Sequence, residues 1–343
     1  MNILDVDKIK EQNKLLNEQE IKEGKVVLKS KPQKGLFILD DICNLKCIMC
    51  SYPHKTDNYR VKEELFNSVI DNMKYFYELS CQGGETLLFN KFDELLDKAK
   101  ENDVQLTFTT NAQLLTKDVI NKLKNLKVYI HISVDGFDET TYESIRVGGS
   151  FFKLCENLKY LVEIKDNKEF QNLCYDMFMV PMKQNYQQVE KALDFALKYK
   201  FHGIRFLQIR GAENCLPNED EQNYIKKQIY ENFKKIKKFD LQISIDSDIP
   251  LDYHKTNDLS TTLINNFSNI CKYPWTNIAI QRFGTVSLDC LCDFKNNEII
   301  NTLDDAWNSQ YMQEIRKGLI ENKPISSCKT CYRNNLFHKI KDK

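Results

Sequence analysis

Short apolar runs alternate with amphipathic stretches along residues 35–209 of the 343-residue chain. Apolar residues at helical spacing mark the amphipathic stretches, which predict helices over residues 62–76, 90–102, 116–126, 151–165 and 185–200. The apolar runs have the length and the residue types of strands: GLFILD (35–40), YELSC (77–81), VQLTFTT (104–110), VYIHISV (128–134), CYDMFMV (174–180) and IRFLQI (204–209). Strands and helices in this alternation predict βαβ units, a parallel sheet and the α/β class.

Six such units predict a partial (β/α)6 TIM-like barrel that spans residues 35–240. The charged residues 1–34 are expected to form a helical lead-in. Beyond about residue 240 the alternation fades, and residues 241–343 predict a small C-terminal domain. That domain begins with a hairpin (TNIAI, a turn at QRFG, then TVSLDC) and continues with one helix over 303–320. In such α/β folds, ligands bind at the C-terminal ends of the strands.

Charge and hydropathy bear on the partners and the location that we expect. Lysine and arginine number 49, and aspartate and glutamate also number 49. This balance gives no electrostatic reason to expect nucleic acid or an anionic membrane as a partner. The N-terminal stretch is too polar for a signal peptide, and no apolar run is long enough for a transmembrane helix. We therefore expect a cytoplasmic protein.

The chain has 12 cysteines, which is many for a cytoplasmic protein. Scattered cysteines such as Cys155 are expected to be small buried side chains. Eight others fall into two groups, and clustered thiols in a reducing compartment indicate metal or iron–sulfur ligation. The two groups are Cys43, Cys47 and Cys50 near the start, then Cys271, Cys290, Cys292, Cys328 and Cys331 near the end.

The first group has the spacing C-x3-C-x2-C and directly follows the first predicted strand. QGGE, TTN and SVDG follow or end the second, third and fourth strands, so all four segments should meet at one edge of the sheet. Three cysteines leave one iron of a [4Fe–4S] cluster without a protein ligand, which is the open position that a catalytic metal needs. A zinc site with His54 as fourth ligand is the alternative.

These segments resemble the motifs of radical S-adenosylmethionine (radical SAM) enzymes. DDICNLKCIMCSYPHK (40–55) resembles the cluster loop, with Met49 where an aromatic residue is usual. GGET (83–86) resembles the GGE motif, with Thr86 in place of a frequent proline. TTNAQLLT resembles the TTNG segment with Ala112 for glycine, and SVDGFDETTYESIRVGG resembles the fourth-strand segment.

The resemblance implies a role for each residue. Cys43, Cys47 and Cys50 would hold the [4Fe–4S] cluster. Gly83, Gly84 and Glu85 would hold the methionine amine of S-adenosylmethionine. Asn111 and Ser133 would contact the same molecule, and Arg146 its carboxylate, although a solvated charge at a helix end is the alternative for Arg146.

The resemblance also implies the reaction. A flavodoxin- or ferredoxin-type protein would reduce the cluster, S-adenosylmethionine would be cleaved to a 5′-deoxyadenosyl radical, and the radical would take a hydrogen atom from the substrate.

The C-terminal segment resembles a SPASM domain in its run CKYPWTNIAIQRFGTVSLDCLCDF, its AWNS helix and its closing CKTC. The resemblance implies one auxiliary [4Fe–4S] cluster, bound by Cys271, Cys328, Cys331 and either Cys290 or Cys292. A structural zinc site is the alternative. Cys215, in RGAENCLP, is either a spectator or the donor of a hydrogen atom to a substrate radical, as in radical epimerases.

The predicted function is abstraction of a hydrogen atom from an unactivated C–H bond, leading to oxidation, epimerisation or bond formation. Peptide-modifying members of the family often carry an N-terminal leader-binding module, and the 34 residues before the first strand are few for one. We therefore expect a small, for example sugar-like, metabolite or a short peptide as substrate. The alternatives are a peptide maturase that recognises its substrate without a leader, and a non-catalytic zinc or electron-transfer protein.

Overall fold

The computed structural model describes residues 3–50, 59–209, 212–236, 241–245, 271–288, 298–325 and 328. The chain divides into two compact units. We call residues 38–60 and 78–249 the core unit, and residues 1–37, 61–77 and 250–343 the terminal unit. The threefold division predicted from the sequence, with boundaries at residues 34 and 240, stays a prediction.

Parallel strands form the centre of the core unit. Strand β1 (Lys34–Ile38) leads into this unit, and the strands after it pair side by side in the order in which they occur in the chain. They are β2 (Glu78–Gln82), β3 (Gln105–Thr110), β4 (Val128–Ser133), β5 (Leu173–Met179), β6 (Gly203–Phe206) and β7 (Gln242–Ile245). The predicted α/β fold with a parallel sheet is confirmed, and each of the six predicted strands is present within a few residues of its expected bounds. Strand β7 was not predicted.

The helices of the core unit lie between these strands in the sequence. Apolar faces bury them against the sheet, as in α3, where Leu95 and Leu96 are buried while Asp93 is exposed. The helices are α3 (Phe92–Glu101), α4 (Lys117–Lys122), α5 (Glu139–Ile145), α6 (Phe151–Glu163), α7 (Val189–Lys198) and α8 (Glu219–Ile236). Helices α5 and α8 were not predicted.

Burial alternates along the central strands, as a strand with two different faces requires. In β4, Val128, Ile130 and Ile132 are fully buried, whereas the side chains between them are partly exposed. The same alternation runs along β5. We call the partly exposed side the half-exposed face; its members on these two strands are Tyr129, His131, Ser133, Cys174, Asp176 and Phe178.

The terminal unit combines the beginning and the end of the described chain. Strand β8 (Asn277–Ile280) is parallel to β1, and β9 (Val286–Ser287) is antiparallel to β8, so the predicted hairpin is present. The helices of this unit are α1 (Ile3–Lys22), α2 (Glu63–Asp71), α9 (Tyr273–Thr276), α10 (Leu303–Trp307) and α11 (Gln310–Ile320).

The single helix predicted over 303–320 is wrong, because α10 and α11 are separated at Asn308 and Ser309. The Ser309 side chain accepts a hydrogen bond from the amide of Met312 and so caps a new helix start. Serine bonds to nearby backbone in this way at helix ends, which favours a break over a continuous helix.

A buried arginine links the two ends of the chain within the terminal unit. The fully buried Arg316 guanidinium donates to the carbonyl oxygens of Pro274 (2.9 Å), Val26 (2.9 Å) and Trp307 (2.8 Å). The Trp307 indole donates to the carbonyl of Ser30 at 2.7 Å. Residues before β1 and residues after β9 therefore share one polar core.

Among the described helices, none has the length and apolar character that crossing a bilayer requires.

Candidate functional site

The segment 39–50, here called the cysteine loop, is held by main-chain hydrogen bonds on both sides. The Leu39 amide donates to the Gln82 carbonyl at the end of β2 (2.8 Å), and the Ile48 amide donates to the Ile145 carbonyl at the end of α5 (3.0 Å). The sheet and a helix thus fix the backbone that carries the three thiols.

Gly83 and Gly84 lie directly against this loop. Amide groups of Gly84 and Glu85 donate to the carbonyls of Asp40 (2.8 Å) and Ile42 (2.7 Å). A Cβ atom on Gly84 would lie 2.2 Å from the Ile42 oxygen, and one on Gly83 would lie 2.2 Å from the Asp40 oxygen. The two glycines are therefore required by a close approach of backbone to backbone; their role in holding a methionine amine stays a prediction.

Glu85 links the ends of β2 and β3. Its side chain is 1% exposed, and its two oxygens accept from the Thr110 hydroxyl (2.6 Å) and the Asn111 amide (2.8 Å). Burial raises the pKa of the Glu85 carboxyl, and these two donors oppose that effect. The carboxyl group is thereby held in one orientation at the strand ends.

Asn111 contacts the cysteine loop. Its side-chain nitrogen donates to the Asn44 Oδ1 at 2.9 Å and lies 3.9 Å from the Cys43 sulfur. The next residue, Ala112, has a φ of 59°, a conformation that glycine adopts more readily. The glycine of the TTNG segment is thus replaced by a residue that occupies the same left-handed conformation.

Arg146 ends α5 and is buried, at 7% exposure, so the alternative of a solvated helix-end charge is wrong. Its Nη2 donates to the Asp135 carboxylate, and its Nη1 lies 3.9 Å from the Cys47 sulfur. Burial alone would lower the pKa of Arg146, but attraction to Asp135, Cys47 and Tyr142 outweighs burial and raises it. Within the described part of the chain, the buried Nε has no hydrogen-bond partner.

Asp135 was not singled out in the sequence. It is fully buried, and besides Arg146 it accepts the Val180 amide at 2.7 Å. Its place in SVDG, directly after β4, is the signal that could have identified it.

The thiols of the cysteine loop are electrostatic neighbours. Burial raises the pKa of Cys47 to about 11 and also raises that of Cys43, whereas the guanidinium of Arg146 opposes both shifts. A charge on Cys50 would raise both values further. Among the described residues, no group of three or more His, Cys, Asp or Glu side chains could hold a single metal ion as it stands. His54 lies outside the described residues.

Ser133 and Cys215 lie at different depths. Ser133 is the last residue of β4 and is partly exposed. Cys215 is fully buried in an apolar cluster with Ile145 and Met182, against which Met49 of the cysteine loop also packs. The Cys215 thiol is thus beside the loop but enclosed, and its role as a hydrogen-atom donor stays a prediction.

The second cysteine group is only partly described. Cys271 and Cys328 are partly exposed. Cys290, Cys292 and Cys331 lie outside the described residues, so the auxiliary cluster or the alternative zinc site stays a prediction.

Comparison with known proteins shows what part of the chain resembles. Residues 38–196 match the Radical SAM superfamily. The bacteriocin subtilosin biosynthesis protein AlbA of Bacillus subtilis is 25% identical over 285 residues, which cover 81% of this chain and 59% of AlbA. The mycofactocin maturase MftC of Mycolicibacterium smegmatis is 30% identical over 162 residues, which cover 46% of this chain and 40% of MftC. The chain therefore spans less than two thirds of either relative.

A solved structure shows the same fold. SuiB of Streptococcus suis, bound to S-adenosylmethionine, superposes with a TM-score of 0.63 at 18% identity, over 89% of this chain and 70% of SuiB. The match over residues 38–196 supports the radical SAM resemblance seen in the sequence, and the likeness to SuiB shows the fold. The SPASM resemblance of the C-terminal segment stays a prediction.

Proposed function

We propose that the chain is a radical SAM enzyme that cleaves S-adenosylmethionine reductively and removes a hydrogen atom from an unactivated C–H bond of a peptide. The observation that carries this proposal is the pairing of a three-thiol loop with a buried guanidinium. Arg146 contacts the Cys47 sulfur and keeps one buried N–H without a partner among the described residues.

The residues fit an iron–sulfur cluster. Three thiols on one fixed loop, and a cation 3.9 Å from one of them, favour an anionic cluster with thiolate ligands. Burial raises the pKa of Cys43 and Cys47 in the cluster-free chain, so cluster binding would release protons from these thiols. Cys43, Cys47 and Cys50 would hold the cluster.

The residues also fit S-adenosylmethionine. The unpaired Nε of Arg146 is a donor that a carboxylate could satisfy, since a buried donor without an acceptor is costly. Gly83, Gly84 and Glu85 would hold the amine, and Asn111 and Ser133 would contact the rest of the molecule. When bound, the cluster and S-adenosylmethionine supply one-electron chemistry that ends in abstraction of a hydrogen atom from the substrate.

The chain itself orients these groups and excludes water. Asp135 fixes the Arg146 guanidinium, and Glu85 holds the end of β2 against Asn111 at the end of β3. The apolar cluster around Cys215 packs against Met49 of the cysteine loop and would help to exclude water there. Such fixed donors avoid reorganisation during the reaction.

Relatives favour a peptide over a small metabolite. AlbA acts in bacteriocin biosynthesis, MftC is a maturase, and a structure of SuiB contains the precursor peptide SuiA. A peptide substrate, which the sequence ranked beside a sugar-like metabolite, is therefore the one we propose. Analysis of the product would show whether the reaction is an oxidation, an epimerisation or a bond formation.

The test begins with anaerobic reconstitution of the full chain with iron and sulfide. With S-adenosylmethionine and dithionite, the chain should release 5′-deoxyadenosine. Cys47→Ala should abolish this release, and Cys155→Ala, which removes a thiol outside every motif, is the matched control. Absence of 5′-deoxyadenosine from the reconstituted wild type would overturn the proposal.

Peptides encoded beside the gene are the substrate candidates. Each is incubated with the reconstituted chain, and a change in peptide mass that requires S-adenosylmethionine identifies the substrate. A sugar that changes instead of any peptide would favour the metabolite alternative.

We further propose one auxiliary cluster, bound by Cys271, Cys328, Cys331 and either Cys290 or Cys292, which would accept an electron or stabilise the C-terminal segment. The reconstituted chain should then bind about eight irons, four for each cluster. Cys271→Ala should reduce the content to about four. Four irons in the wild type would contradict the auxiliary cluster and leave the first cluster in place; one zinc with four irons would favour the structural zinc alternative.

A further inference from the structure

A histidine and an aspartate pair on the half-exposed face, in a part of the core unit that no motif includes. His131 on β4 and Asp176 on β5 are direct partners in the strand register. Their side chains meet with Nδ1 and Oδ1 2.6 Å apart, and they remain 17% and 15% exposed. The pair is thus sheltered but can still be reached from the half-exposed face.

The pair fixes the proton on the imidazole. A carboxylate oxygen accepts hydrogen bonds, so the Asp176 contact places a proton on Nδ1 of the His131 ring. Nε2 then carries the lone pair. Within the described part of the chain, no hydrogen bond to this Nε2 is found, because the other contacts of the ring are stacking on Phe178 (4.2 Å between centroids, 19° between planes) and a tilted contact with Tyr129.

The stacking on Phe178 fixes the direction of the ring, whereas the Asp176 contact fixes its tautomer. Phe178 lies two residues beyond Asp176 and is the register partner of Ser133. Ser133 in turn lies two residues beyond His131 on the same face, which is a distance of about 7 Å along a strand. His131 therefore lies two residues before Ser133, the last residue of β4, which is predicted to contact S-adenosylmethionine.

Other polar groups surround the pair. The Tyr129 hydroxyl is 3.5 Å from the second oxygen of Asp176, and Thr109 of β3 is the register partner of His131 on the opposite side. The Arg205 guanidinium lies over the Phe178 ring at 5.7 Å. One carboxylate, one guanidinium, one phenol and one imidazole thus share this part of the face.

A purely structural role does not account for the pair. Six consecutive register pairs already join β4 to β5. A partly exposed polar pair contributes little to stability, and stability alone does not require a stacked ring with an open nitrogen.

We propose that Nε2 of His131 contacts the substrate of the reaction proposed above and accepts a proton from one of its N–H or O–H groups, with Asp176 as the positioning residue. The inference rests on that proposed function. The step is a proton transfer alone: the electron pair of the broken bond stays on the substrate, and the imidazolium keeps its Nδ1–H on Asp176. A peptide with an acidic N–H or O–H group, such as a protonated amine, is the substrate class that this arrangement suits, because an amide N–H is too weak an acid to give its proton to imidazole.

Nuclear magnetic resonance tests the arrangement without any cofactor. A long-range 1H–15N spectrum of the full chain resolves its five histidines, and His131→Gln assigns the signal. We expect His131 to carry its proton on Nδ1 and to shift toward the Nε2–H tautomer in Asp176→Asn, because an asparagine amide can donate to Nδ1. His202, whose Nδ1 lies 3.1 Å from the Tyr175 carbonyl, is the matched control and should not change. The proposal is overturned if His131 carries its proton on Nε2 in the wild type. It is also overturned if Asp176→Asn leaves the His131 tautomer unchanged.

Activity tests the proton transfer. With the peptide that the wild type modifies, His131→Gln should lower the amount of product formed per 5′-deoxyadenosine about 100-fold, the range of general acid–base catalysis. His202→Gln should keep the wild-type ratio. An unchanged ratio of product to 5′-deoxyadenosine in His131→Gln overturns the proposal. A wild type that makes no 5′-deoxyadenosine overturns the proposed function instead, and the tautomer measurement then decides whether Asp176 positions His131.

Discussion

Replacing Gly84 by alanine tests whether the glycine pair serves the cysteine loop. The new Cβ would lie 2.2 Å from the Ile42 oxygen and 2.5 Å from its carbonyl carbon. Both atoms belong to the backbone, so no side-chain rotation can relieve the contact. The loop must therefore move away from Gly84 by about 1 Å to restore ordinary van der Waals distance.

The magnitude follows from the hydrogen bonds that this movement breaks. The Gly84–Asp40 and Glu85–Ile42 bonds are 2.8 and 2.7 Å long, and an extra ångström puts both beyond hydrogen-bond distance. Each contributes about 0.5–1.5 kcal/mol, so the free energy of unfolding should fall by about 1–3 kcal/mol. The displaced thiols should also bind less iron.

Urea denaturation and iron content of the reconstituted chain measure the two effects. Gly148→Ala is the matched control, because Gly148 has a φ of 91° but its Cβ would lie 3.5 Å from the nearest atom of the cysteine loop, the Asn44 oxygen. The control should lose about 1–2 kcal/mol through backbone strain and keep its iron. The reasoning is refuted if Gly84→Ala keeps wild-type stability and iron content, or if both variants lose iron equally.

Three further predictions concern single side chains. Thr86→Val should raise the free energy of unfolding by about 1 kcal/mol in urea, because the Thr86 hydroxyl is buried and has no partner among the described residues; a loss of stability would contradict this. The pKa of Asp138 is lowered to about 2 by hydrogen bonds from Lys191 and a backbone amide, so the stability it contributes is present above its unfolded pKa of 3.8 and is lost as pH falls toward 2. Asp138→Asn should flatten that part of the stability profile, and an unchanged profile would count against the assignment. Arg146→Met leaves the Asp135 carboxylate buried and unpaired, which should cost about 3–5 kcal/mol. Adding Asp135→Asn should recover part of this loss, and additive losses in thermal unfolding would argue against the pair.

The fold was predictable where the apolar pattern of a segment matches the burial of its residues in the structure. In VYIHISV, alternate residues such as Ile130 are buried, as period-two alternation indicates. Strand β7 escaped prediction because its alternating pattern is only four residues long, and the register with β6 that defines it is a contact distant in sequence. The break at Ser309 has a local cause. The capping bond from the Met312 amide to the Ser309 side chain starts a new helix within an apolar pattern that looks continuous in the sequence.

The candidate site was predictable only as a set of segments. Motifs brought the cysteine loop, the GGE segment and the fourth strand to one region, but they did not reveal which atoms occupy the space beside each residue. The group that leaves no room for a side chain at Gly84 is the carbonyl of Ile42, more than 40 residues earlier. Likewise the partner of Arg146 is Asp135, whose burial no spacing rule indicates.

The buried Arg316 has a consequence for synthesis of the chain. The carbonyl of Val26 precedes its donor by 290 residues. At about 5–20 residues per second, a ribosome adds that length in roughly 15–60 s, so the N-terminal segment leaves the exit tunnel long before its partner exists. During that interval the core unit can be completed, whereas the terminal unit cannot. The residues around Val26 are therefore among the last to reach their final contacts, and until then they are available to chaperones.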